Sequence, residues 1–212
     1  MKKYRKFTVG EEISHSITHG IGALLGIAAL IVLIVLSSKQ KNAWKIVSFS
    51  IYGASLFLLY LSSTLFHSLS FTKSKEILKK LDLSMIYILI AGTYTPILLV
   101  PMRGTLGWIL FGIIWTLAII GIVFKWISVG KNKVIPTLLY VIMGWIIIFP
   151  IKQVLTMIPF GLFIWLISGG VAYTIGAIFH LWRKQPYAHF IWHLFVLTGS
   201  TLHFLGILIY IL

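Results

Sequence analysis

Cysteine is absent from this sequence, and acidic residues are nearly so. The first absence excludes disulfides and thiolate metal sites and leaves the redox compartment unmarked. The second leaves four carboxylates, Glu11, Glu12, Glu76 and Asp82, against 18 lysines and arginines, for a net charge of +14. Charge of either sign is scarce. It makes up 10% of the 212 residues, where a soluble domain carries roughly a quarter, so no soluble shell can be built from it. Internal repeats and low-complexity segments are missing too, and every connection between apolar runs is short. What is there is hydrophobic, 59% of the chain. It comes in runs of about 20 residues, each long enough to cross a hydrocarbon layer of roughly 30 Å as a helix. The short alternating segments of a transmembrane barrel are lacking. The fold class is an all-α membrane protein, a transmembrane helix bundle forming one domain.

Seven spans can be drawn, over residues 13–36, 43–66, 83–101, 104–124, 134–151, 160–181 and 188–212. The basic residues before the first run resemble the start of a signal peptide. The run itself is too long for one and lacks a small-x-small cleavage site, so it reads as a retained span. Gly22 and Gly26 within it form a small-xxx-small pair that permits close helix packing. Lysines and arginines sort by side. Lys2, Lys3, Arg5, Lys6, Lys73, Lys75, Lys79, Lys80, Lys125, Lys131, Lys133, Arg183 and Lys184 fall on one side, and Lys39, Lys41, Lys45, Arg103 and Lys152 on the other. Thirteen against five sets the N-terminus in the cytoplasm and, with seven spans, the C-terminus outside. Because the basic residues sit in loops, the expected partner is anionic lipid headgroups rather than nucleic acid.

This topology brings distant polar residues to one depth. His67 ends the second span, Asp82 opens the third, and His189 and His193 open the seventh. Glu12, His15 and His19 open the first. All belong at the cytoplasmic end of the bundle, where ionisable groups are costly and point to function. His189 and His193, four apart, lie about 40° apart around a helix and roughly 6 Å along it, so both imidazoles can reach one metal. His67 is the natural third ligand. Three neutral imidazoles leave a fourth position open for water, a Zn²⁺ site of the catalytic kind. Asp82 would take a proton there. Ser63, one helical turn before His67, would hydrogen-bond His67, a ligand or a substrate oxygen.

Each feature alone has a plainer reading. An HxxxH pair serves as interfacial polar decoration, His67 as a snorkelling end residue, and Ser63 as a packing residue. Asp82 could pair with Lys79 or Arg183. Their common depth brings the metal reading level with these. His203 lies too far along its helix to join the pair and reads as a buried, hydrogen-bonded histidine, and His180 reads as interfacial. Glu12, His15 and His19 are spaced three and four apart and form one stripe, expected to face the bundle interior as support for the ligands.

Four blocks, "EEISHSITHGIGALL" (11–25), "YLSSTLFHSL" (60–69), "LDLSMIYILIAGTYTP" (81–96) and "PYAHFIWHLFVLTGSTLHF" (186–204), resemble the bacterial haemolysin III-like proteins. These are relatives of the progestin and adipoQ receptors and, more distantly, of the alkaline ceramidases. The resemblance covers nearly the whole chain. It implies seven helices with a cytoplasmic N-terminus and one zinc near the inner face, held by His67, His189 and His193. It also implies Asp82 at the metal's water and Ser63 in the Ser-x-x-x-His block. The resembled pattern usually has asparagine where this chain has His15, and often histidine where it has Leu83.

Two function classes follow. One is an enzyme that hydrolyses a lipid amide or ester with zinc, substrate entering from the bilayer. The other is a non-enzymatic regulator or sensor of membrane state, in which zinc clamps spans two and seven. A pore-forming cytolysin fits less well, because such toxins have a soluble state before insertion and this composition provides none.

Overall fold

In a bilayer the backbone must satisfy its own hydrogen bonds, which restricts an open chain of apolar runs to helices. The computed structural model, which describes residues 7–127, 134–182 and 184–212, is accordingly helical, with no strand among the described residues. The helices are α1 (Val9–Lys39), α2 (Ala43–Ser68), α3 (Lys75–Leu99), α4 (Thr105–Ile127), α5 (Val134–Gly144), α6 (Ile151–Met157), α7 (Phe160–Leu181) and α8 (Ala188–Tyr210). Six of them are long and apolar enough to cross a membrane, and α5 with α6 makes a seventh crossing if that bent pair counts as one. The chain is a multi-pass membrane protein. Of the basic residues that orient the sequence reading, Lys2, Lys3, Arg5, Lys6, Lys131, Lys133 and Arg183 lie outside the described residues.

Local signals set the ends. Thr8 caps α1 in a reciprocal box: its hydroxyl accepts from the Glu11 amide at 3.3 Å, and the Glu11 carboxylate accepts from the Thr8 amide at 2.9 Å. Asn42 caps α2 by accepting from the Lys45 amide at 3.2 Å. α3 starts earlier than the hydropathy of its sequence suggests, at Lys75. Asp82 therefore sits about two turns inside the helix instead of opening it.

One expected span is not straight. Residues 134–151 read as a continuous helix, but the chain leaves α5 at Gly144, makes a 3-10 turn over Ile146–Ile148, and re-enters as α6 after a bend of 62°. Pro150 has no amide hydrogen to continue the ladder. The freed groups are met from outside: the Tyr94 hydroxyl of α3 donates to the Gly144 carbonyl at 2.8 Å and accepts from the Ile147 amide at 3.2 Å. A side chain thus replaces backbone partners where the helix breaks.

Packing order follows chain order. α1 lies on α2, α2 on α3, α3 on α4, α4 on α5, α5 on α7 and α7 on α8, and α8 closes the ring against α1. α3 is the most enclosed of the long helices and α4 the least. Polarity is arranged inside out. On α1, Glu12, His15, His19, Gly22 and Gly26 are buried, while Ile13, Ile17, Ile21 and Leu24 face outward. The glycine pair faces α2. A Cβ on Gly22 would strike the Tyr60 ring, and one on Gly26 would come within 3.1 Å of the Phe57 backbone.

Gly26→Val is expected to overpack this contact and cost about 1–3 kcal/mol. It should lower the thermal midpoint of the detergent-solubilised protein. Leu24→Val, on an outward side chain that is 70% exposed, should change stability by less than about 0.5 kcal/mol.

Candidate metal centre

Successive spans alternate in direction, so the first turns of α1, α3, α5 and α8 meet the last turns of α2, α4 and α7. Residues from all seven line one open cavity of about 530 Å³, among them Glu12, Asp82, Lys125, Pro136, His180 and His189. The histidines collect beneath it. α1 contributes His15 and His19, α2 contributes His67, and α8 contributes His189 and His193.

Two groups converge closely. His67, His189 and His193 each bring a ligand atom within 4.8 Å of the others, and so do Glu12, His15 and His67. His189 and His193 face one another with their Nε2 atoms 3.2 Å apart. Two ligands of a tetrahedral ion bonded at about 2.0–2.1 Å stand roughly 3.3 Å from each other, so this separation suits a shared metal. The Glu12 carboxylate can only accept, so the His67 Nδ1–H donates to its Oε2, at 2.6 Å. That bond sets the tautomer and leaves His67 Nε2 buried with no protein partner. A carboxylate that holds the far nitrogen of an imidazole is the usual support of a metal-binding histidine.

Unpartnered buried nitrogens cost about 1–3 kcal/mol each. Here they include His67 Nε2, His193 Nδ1 and both ring nitrogens of His15 and His19. His15 is central, its ring centroid 4.6 Å from that of His67, 4.9 Å from His189 and 5.0 Å from His193. His19 stacks on His193 at 3.6 Å. Imidazole nitrogens without hydrogen-bond partners at this density fit a metal ion better than they fit a closed hydrogen-bond network.

Asp82 is partly buried, with the Ser63 hydroxyl as its hydrogen-bonding neighbour and the Lys125 ammonium within electrostatic reach. The alternative partner Lys79 instead approaches Glu76, at 3.9 Å, and Arg183 lies outside the described residues. A void of about 20 Å³ touches Ser63, Asp82, His180, His189 and His193, enough for a single water. It shares Leu59, Ile86, His180, Trp192 and Val196 with an apolar crevice of about 100 Å³ that runs into the bundle as far as His203.

The structure places Ser63, His67, Asp82, His189 and His193 close together, with Glu12, His15 and His19 buried beside them. Three participants were not foreseen. His180, expected at the interface, is buried in the wall that Asp82 and His189 share. Lys125 is buried on the cavity side of α4, and its only sequence signal is a lysine inside the apolar run "IVFKWI". Phe7 stacks on His189 at 5.1 Å and meets His15 edge-on at 4.8 Å. His203 stays apart, its Nε2 placed 3.0 Å from the Leu166 carbonyl.

Replacing His67, His189 or His193 by alanine is expected to abolish the tightest-binding equivalent of metal, read by elemental analysis of purified protein. Glu12→Gln should leave the ligands in place but weaken that equivalent about 10- to 100-fold.

Comparison with known proteins agrees on one family. The sequence profile described as "Haemolysin-III related" matches residues 7–204. The chain is 53% identical over 204 residues to "Hemolysin-3" of Bacillus cereus, covering 96% of this chain and 93% of that one. It is 50% identical over 204 residues to "Hemolysin-3 homolog" of Bacillus subtilis (strain 168), covering 96% of each. Over 210 residues it is 30% identical to human "Monocyte to macrophage differentiation factor", covering 95% of this chain and 85% of the human one.

Proposed function

Because the chain belongs to the haemolysin-III related family, we propose that it is an integral membrane metalloenzyme that hydrolyses a lipid amide or ester, with zinc at His67, His189 and His193. The observation that carries this reading is the convergence of three imidazoles from two helices, two of which, His189 and His193, line with Asp82 a void backed by an apolar crevice. Three neutral nitrogens without a thiolate suit zinc among the common divalent ions. When bound, zinc supplies Lewis-acid polarisation and an activated water.

The chain's own residues supply the rest. Asp82, on the wall of the void, takes the proton that hydrolysis releases. Ser63 holds the carboxyl through its hydroxyl. Glu12 keeps His67 in the tautomer that turns Nε2 to the metal. The crevice lined by Leu59, Ile86, Tyr94, Trp192 and Val196 receives the acyl chain and excludes water from it. The charge asymmetry of thirteen against five supports a cytoplasmic position for this end. There Lys75, Lys79 and Lys125 line the cavity that a headgroup enters. The competing reading, a structural metal in a membrane-state regulator, draws on the way the same ligands join α2 to α8.

The two readings separate at Asp82. In purified protein reconstituted into bilayers, Asp82→Asn should keep its metal and lose at least about 100-fold in hydrolysis of a lipid amide or ester. If metal-replete wild type turns over no member of a broad amide and ester panel, the structural reading takes its place.

A further inference from the structure

One cation at His67, His189 and His193 leaves the α1 side of the cluster unexplained. His15 is fully buried, and neither of its ring nitrogens is within hydrogen-bonding distance of a partner. Its Nδ1 stands 3.8 Å from Glu12 Oε2, the same oxygen that receives the His67 Nδ1–H at 2.6 Å. Glu12, His15 and His67 thus bring their own ligand atoms within 4.8 Å of one another, and all three are buried. Two imidazoles and one carboxylate form a donor set for divalent first-row transition metals. Unlike the three-imidazole set, it also carries a negative charge to offset the ion's.

We propose that the chain binds a second divalent transition-metal ion at Glu12, His15 and His67, sharing His67 with the first. The imidazole of His67 has a nitrogen for each position: Nδ1 toward Glu12, and Nε2 without a partner in the protein. With one ion bound, Glu12 is the acceptor that orients His67. With two, Glu12 becomes a ligand, and the Nδ1 proton leaves to solvent as the second ion takes its place. Glu12 lines the open cavity, so the ion has a route in. It displaces the ammonium of Lys75, which is 4.0 Å from Glu12 Oε1 on a side chain still 43% exposed. His15 is the residue that makes this second position, and it stands where the resembled pattern has asparagine.

The inference rests on the first position being filled as proposed above, and stoichiometry separates the two. Purified protein, stripped by chelator and titrated with Zn²⁺, is read by calorimetry and elemental analysis. Wild type should bind two equivalents per chain. His15→Asn should bind one, and retention of that equivalent also shows that the variant is folded. His189→Ala should retain only the Glu12 position, and His67→Ala should bind none. A wild type saturating at one equivalent, matched by His15→Asn, overturns the second site and leaves the first intact. A wild type that binds no Zn²⁺ overturns both.

Discussion

Hydrocarbon offers no hydrogen-bond partner, so a carboxylate or imidazole on a spanning helix, unable to bond back to its own backbone as a serine or threonine does, is best met from a neighbouring helix. The polar end of this bundle is organised by that requirement. α1 carries Glu11, Glu12, His15 and His19 within its first three turns, and all four are buried. Glu11 accepts from the Tyr187 amide at 2.9 Å, which fixes the start of α8. Glu12 accepts from His67 and fixes the end of α2. Two adjacent carboxylates thus hold α1 to both neighbours and close the ring of helices at the level of the histidines. Tyr187 has the left-handed backbone, φ 58°, and offers α8 no side-chain cap. The acidic first turn of α1 stands next to the N-terminus of α8, where a negative charge is favourable.

Much of this was legible in the sequence because the relevant forces are one-dimensional. Apolar run length sets where helices cross, and the predicted spans over 43–66, 160–181 and 188–212 fall almost on α2, α7 and α8. Alternation of direction then places His67, Asp82, His189 and Glu12 at one end, whatever the fine packing. The parts that escaped depend on partners distant in sequence. The break in α5 requires Tyr94, fifty positions before Gly144, to satisfy the opened backbone. His180 looks interfacial beside Trp182, yet α8 packs on that face of α7 and buries it, with Trp192 at 5.1 Å. Phe7 precedes the first apolar run, and nothing in its neighbours signals that it folds back over His189.

The deepest constraint on the site is charge. The chain has four carboxylates, and all four stand at the histidine end. Glu11 and Glu12 bind α8 and α2, Glu76 pairs with Lys79 at 3.9 Å, and Asp82 lies in the field of Lys125. In a medium of low dielectric a divalent ion on neutral imidazoles needs compensating charge nearby. Glu12 and Asp82 both line the open cavity, and Asp82 also lines the void beside His189 and His193. Glu12 receives the His67 Nδ1–H, and Asp82 is the carboxyl that faces the void. Leu83 sits next to it where the resembled pattern often has histidine, and its carbonyl accepts from the Tyr140 hydroxyl at 2.9 Å. Asp82 thereby lacks a titratable neighbour in sequence. Its surroundings are set across helices, by Ser63 of α2, Lys125 of α4 and His180 of α7, so substituting any one of these side chains alters the electrostatics of the carboxyl.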